Sequence, residues 1–166
     1  MIYIFTGPRA ITDAEAAYVW STVEELHDLT ASISGGQFGV DTAATRAAAV
    51  CHRDALHTVI FPNHPEATWN RNILNGYQAP RSEIISGPPA PTKGAAYLGR
   101  NLEEIALAFE MKPAGEDVTC VAFSSCPVVD RQYPQRGGTW HTVRHAEQAG
   151  AAIEIHPLPR ALAGRR

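Results

Sequence analysis

ISGGQFGVDTAATRAA, residues 33–48, is the stretch on which the fold turns. An apolar residue and a serine lead into Gly35 and Gly36. A third glycine, Gly39, follows Gln37 and Phe38, and Asp41 then opens an alanine-rich run with high helix propensity. A short strand that turns at once into a helix is the joint of a βα unit, and its glycines let the backbone turn sharply or approach a ligand closely.

The pattern repeats on both sides of this joint. Ile2 to Phe5 reads as a strand broken by Thr6-Gly7-Pro8, and Thr12 or Asp13 can cap a helix with Glu15 in its first turn. Apolar residues from Ala16 through Val19, Trp20, Val23, Leu26 and Leu29 keep the helical period. Ala31 to Ile33 is a short second strand, Asp41 to Arg53 a helix, and Thr58 to Phe61 a third strand whose unbroken apolar run suits a buried parallel sheet. Further on, the expected elements are a helix near Leu98 to Met111, a strand at Val118 to Phe123, a helix near Thr139 to Ala149, and a strand at Ala151 to Ile155 closed by Pro157 and Pro159. Strand alternating with helix predicts an α/β, Rossmann-like fold: a mainly parallel sheet with helices on both faces, in a single domain over residues 1–166.

One segment breaks the rhythm. From about residue 62 to 93, Pro62, Pro65, Pro80, Pro88, Pro89 and Pro91 punctuate a stretch too long for an ordinary connection. It carries Trp69 and Tyr77, so it is expected to be ordered and to cover part of a site, with a short strand at Glu83 to Ile85.

Composition narrows the function. The chain has 166 residues, 45% hydrophobic, with no apolar run long enough for a membrane span. MIYIFTGPRA lacks the basic region and cleavage site of a signal peptide. Cys51, Cys120 and Cys126 are an odd number without metal-type spacing, which suits reduced thiols in a cytoplasm. A net charge of −3 and a pI near 6.1 give no global attraction to a polyanion. The C-terminal LPRALAGRR reads as a solvated tail.

Ligands of parallel α/β sheets bind beyond the carboxyl ends of the strands, so the loops there hold the candidate site. Ser34 to Gly39 ends at a helix start whose N–H groups suit an anion, usually phosphate. Asp41 either caps that helix or accepts hydrogen bonds from a ribose hydroxyl or base edge; a tight structural turn explains the spacing equally well. RGGTWHTVRHA, residues 136–146, repeats the logic, with Thr139 able to cap its helix and meet a phosphate. Arg9, after Gly7, can bind phosphate in a bidentate way, and Arg100-Asn101 reads as another helix start. His141 and His145 lie four apart, but no partner at matching spacing completes a metal site. Ser124, Ser125 and Cys126 follow a strand without the G-x-S-x-G turn of serine hydrolases.

Taken in order, IFTGPRAITDAEA, SGGQFGVDTAA, VIFP with Trp69, GRNLEEIA and GGTWHTVRHAEQAG resemble the SLOG superfamily, which includes the DNA-processing protein A domain and the lonely-guy phosphoribohydrolases. The likeness is closest to its small stand-alone, YspA-like and YpsA-related members. It implies a Rossmann-like sheet and a nucleotide or nucleotide-derived ligand. By position it implies contacts from Gly7, Arg9, Ser34, Gly35, Gly36, Gly39, Asp41, Arg100, Asn101, Gly138 and Thr139. Phosphoribohydrolase members carry a glutamate three residues after their Gly-Thr, and here that position is Thr142. The expectation is therefore a cytoplasmic sensor or processing module whose partner is a nucleotide or nucleotide-derived small molecule, paired as a homodimer with Trp20 as an anchor, with no metal, cofactor, membrane or nucleic-acid partner. The alternative is an enzyme cleaving the N-glycosidic bond of a nucleoside monophosphate, with Asp41, Glu103 or Glu104 as the acid and Asp41 the best placed. A single-stranded DNA binder is third.

Overall fold

Ile2–Thr6 (β1) is buried at every position, because it lies at the centre of a sheet covered on both faces. In a computed structural model, which describes residues 1–75, 80–126, 134 and 137–163, it pairs in parallel with Ala31–Ser34 (β2) on one side and Val118–Ser124 (β5) on the other. Leu56–Asn63 (β3) and Ser82–Pro89 (β4) extend the sheet beyond β2, and Ala152–Pro157 (β6) extends it beyond β5. The order is β4-β3-β2-β1-β5-β6, all parallel, the α/β Rossmann-like arrangement that the alternating pattern predicts.

Alternate side chains of β1 feed two cores. Tyr3 and Phe5 pack with Val19 and Val23 of Asp13–Glu24 (α1) and with Val40, Ala44, Ala47 and Ala48 of Val40–Cys51 (α2). Ile2 and Ile4 pack with Ile105 and Ala108 of Lys93–Met111 (α3) and with Trp140, Val143 and Ala146 of Gly138–Ala149 (α4). A strand with apolar residues at both parities needs helices on both sides, and it has them.

Local chemistry sets the boundaries. Thr12 and Glu15 form a capping box at the start of α1. Helix α3 begins at Lys93, a turn and a half before the expected Leu98, because the Thr92 side chain accepts the Ala95 N–H at 3.2 Å. Gly94 and Gly99 depress helix propensity there and conceal the start in the sequence. A Cβ on Gly99 would come within 3.3 Å of Pro88 Cγ, so the glycine admits the close approach of α3 to β4. Strand β4 is longer than Glu83 to Ile85, since an edge strand tolerates Pro88 and Pro89.

The expected C-terminal tail is partly docked. Pro159–Ala163 forms a short helix, α5, after buried Leu158. Arg160 reaches the buried Glu15 at 2.9 Å and donates to the Ala10 carbonyl at 2.6 Å. Trp20, the expected outward anchor, is half-buried and packs against the α1–α2 core. No helix among the described residues is long and apolar enough to cross a membrane.

Candidate functional site

The chain winds outward from β1 to β4 and then returns to place β5 beside β1. The crevice where winding reverses is the ligand position of open α/β sheets. Here it is a cleft of about 250 Å³ over the ends of these strands.

Three loops meet there. After β1, Gly7 passes so close to α2 that a Cβ would lie 2.6 Å from Val40 Cγ2. Arg9 follows, with its guanidinium carbon 4.1 Å from the centre of the Tyr97 ring, a stacked cation–π contact. Tyr97 is itself tied to the excursion, its hydroxyl accepting the Thr68 N–H at 2.9 Å. After β2, the turn closes on Gly39 at φ 79°, where a Cβ would lie 2.4 Å from the Pro8 carbonyl oxygen. Gly39, rather than Asp41, is the N-cap of α2.

Asp41 sits inside the first helical turn. Its Oδ2 accepts the Gln37 N–H at 3.1 Å and an Arg100 Nη1 proton at 3.3 Å. Burial pushes its carboxyl above the ordinary range, while Arg100, the Gln37 N–H and Arg9 pull it back. Arg100 does not open a helix. It lies two turns into α3, only 6% exposed, with Nε 3.2 Å from Glu104 Oε1. Gly35 makes this possible, because a Cβ there would fall 1.2 Å from Arg100 Nη1. Burial pushes the Glu104 carboxyl up to about 8, with Arg100 opposing and Asp41 adding to the rise.

The far wall is the start of α4. Its N-cap is Gly137, with no side-chain cap, so Thr139 lies within the helix instead of capping it. Asn101 Nδ2 donates to the Gly138 carbonyl at 3.2 Å and so couples α3 to this turn. Thr142, where the resemblance would have a glutamate, is fully buried, donates to the same carbonyl and does not line the cleft. Arg136 and Tyr77, both singled out in the sequence, lie outside the described residues.

Of the expected site residues, Gly7, Arg9, Asp41 and Arg100 line the cleft, as do Asn101, Gly138 and Thr139. The other four shape it from behind. Ser34 is bonded to Thr45 at 2.7 Å, and Gly35 lies beside Arg100. Gly36 backs onto Val59 and Trp69, while Gly39 backs onto Pro8 and Arg9. Trp69 stacks on Phe61 at 4.8 Å, and Asn70 donates to the Gly36 carbonyl at 2.8 Å, so the excursion braces the β2 turn.

Gln37, Tyr97, Leu98 and Glu104 also line the cleft and were not among those contacts. Tyr97, Arg100, Asn101 and Glu104 follow the i, i+3, i+4, i+7 spacing of one helix face, which is the signal that could have found them. His141 and His145 stack at 4.2 Å, and no cluster of three or more metal-ligating side chains occurs among the described residues. A larger groove of about 580 Å³ runs between α1 and α2 and shares Arg9 with the cleft. Neither Asp41 nor Glu104 lines that groove; both line the smaller cleft.

No family model and no curated protein matches the chain. Among solved structures it is similar to the X-ray structure of DNA processing protein A (DprA) from Streptococcus pneumoniae, at 19% identity and a TM-score of 0.47. The match covers 92% of this chain and 57% of that one, so the chain spans little more than half the length of its neighbour.

Proposed function

We propose that this chain is a cytoplasmic SLOG-type protein that binds a nucleotide or nucleotide-derived ligand in the switch-point cleft. The observation that carries this reading is the convergence of Arg9 and the uncapped first turn of α4 on one small polar space. Arg9 offers a planar cation for phosphate, and the first turn of a helix leaves N–H groups that an anion can accept. Binding without turnover is favoured because Thr142 is buried and offers no carboxylate.

A second reading, hydrolysis of an N-glycosidic bond, draws on the two carboxyl groups in the same cleft, Asp41 and Glu104. The volume of about 250 Å³ suits part of a small ligand better than a tracked strand, which counts against single-stranded DNA.

A panel of nucleoside mono-, di- and cyclic phosphates tests both readings when thermal shift and base release are measured on the same samples. Stabilisation without base release supports the binder. Base release that disappears in Asp41→Asn while binding persists supports the hydrolase, and no shift with any nucleotide removes both. Pairing as a homodimer belongs to the same proposal, and a monomer mass in light scattering at micromolar concentration would remove it.

A further inference from the structure

Glu104 is only 2% exposed and reaches the cleft. Its Oε1 lies at ion-pair distance from Arg100 Nε, yet neither atom has hydrogen-bond geometry with a described partner. The guanidinium instead hydrogen-bonds Asp41 through Nη1. A buried carboxyl oxygen left in this condition calls for a partner, and the cleft is the space in which one can sit.

The groups facing it are few. Asp41 comes from α2 and Arg100 from its own helix, while Arg9 acts on Asp41 from the β1–α1 loop. From β5 the facing group is Cys120, a buried thiol pushed up by burial and then by Glu104, and so uncharged. One guanidinium therefore stands between two carboxyl groups. If both were ionised, the cluster would carry a net negative charge beside the position of a phosphate. If Glu104 keeps a proton, the cluster is neutral and Glu104 becomes an O–H donor.

We propose that Glu104 contacts the ligand as a neutral acid, donating its proton in a hydrogen bond to a phosphoryl oxygen, so that the cleft takes up anion and proton together. This rests on the ligand site proposed above but requires only the phosphate, whatever that phosphate carries. Arg9 supplies charge, α4 supplies N–H groups, and Glu104 supplies the donor that discriminates by pH.

Calorimetric titration of the full chain with adenosine 5′-monophosphate, and separately with inorganic phosphate, tests it between about pH 7 and about pH 9.5. Wild-type affinity is expected to fall roughly tenfold for each pH unit above about 8. Glu104→Gln, neutral at every pH and still a donor, is expected to bind with a flat profile. The ¹³C carboxyl resonance of Glu104, assigned by its loss in that variant, is expected to show the protonated form at neutral pH without ligand.

An ionised carboxyl at neutral pH overturns the proposal, as does a wild-type profile as flat as the glutamine variant's. Phosphate binding that follows the slope, with no nucleotide bound, upholds the proton coupling and removes the nucleotide reading. Nucleotide binding without the slope removes the coupling alone. Binding of neither removes both.

Discussion

Two helices begin with glycine beside the same cleft, and they use it differently. At α2 the turn is closed by its own chain. Val40 donates to the Pro8 carbonyl, Gln37 donates to Asp41, and the Thr42 hydroxyl donates to the Gln37 carbonyl. At α4, Asn101 and Thr142 both donate to the Gly138 carbonyl. The N–H groups of Gly138 and Thr139, by contrast, make no hydrogen bond to a described residue. A glycine-led helix start is thus one sequence signal with two outcomes: a corner braced by its own chain at α2, and at α4 a start whose Gly138 and Thr139 N–H groups meet no described residue.

The largest expected effect tests the braced corner. Arg100→Ala leaves Asp41 and Glu104 buried without their cation, and is expected to cost about 3–5 kcal/mol of stability, read from urea unfolding. Little or no loss would mean that the corner is not held by charge. The cost follows from the buried place of Arg100 within α3, not at the helix start that the sequence suggests.

Gly39→Ala acts on the same corner through the backbone, since it adds steric overlap with Pro8 to a positive φ. A loss of about 2–4 kcal/mol is expected, and a melting temperature like wild type would contradict the packing.

Charge in the corner also sets a pH profile. Glu104 is raised from 4.5 to about 8, so the folded chain holds its proton more tightly than the unfolded chain. The stability this carries is present below 4.5 and is lost as pH rises through about 8, with Asp41 acting in the same direction. His57 works oppositely. Burial lowers it from 6.5 while Ser32 and the His52 carbonyl hold its ring, so its contribution is lost as pH falls below 6.5. Denaturant midpoints should therefore be greatest at mildly acidic pH, and Glu104→Gln should flatten the alkaline side. An unchanged alkaline side would assign the fall to other groups.

The α4 start and Arg9 carry the smaller effects on stability and the direct effects on binding. Arg9→Ala is expected to weaken nucleotide affinity by roughly 1.5–3 kcal/mol while unfolding stays within about 0.5 kcal/mol of wild type. Gly138→Ala should be equally mild for the fold, within about 0.5 kcal/mol, because among the described residues its Cβ meets only Asn101 Nδ2, at 3.9 Å. If it destabilises as much as Gly39→Ala, the two helix starts are equivalent after all.

The order of strands and helices was legible because apolar residues changed period where each element changed, from Ile2–Thr6 onward. The α3 start was hidden by glycines, and α5 by the reading of Pro159 as a terminator when it serves as an N-terminal helix residue. In the site, the strand-end loops stood out because glycine and arginine cluster there. The polar face of α3 did not. Placing the helix start near Leu98 broke the stripe from Tyr97 to Glu104 and made Arg100 a terminal cation. Its partner Asp41 lies on a different helix, 59 positions away in sequence, and only the assembled sheet brings them together.

The central place of β1 bears on how the chain folds. Its partner β2 follows after one helix, but its other partner, β5, must arrive from the far side of the sequence, with Ile2 opposite Val118. Closing so long a loop delays pairing, so β1 through β4 can assemble as a four-stranded sheet while one edge of the fully buried β1 waits uncovered. That waiting edge is where an intermediate would aggregate, and slow refolding at low protein concentration is the condition that protects it.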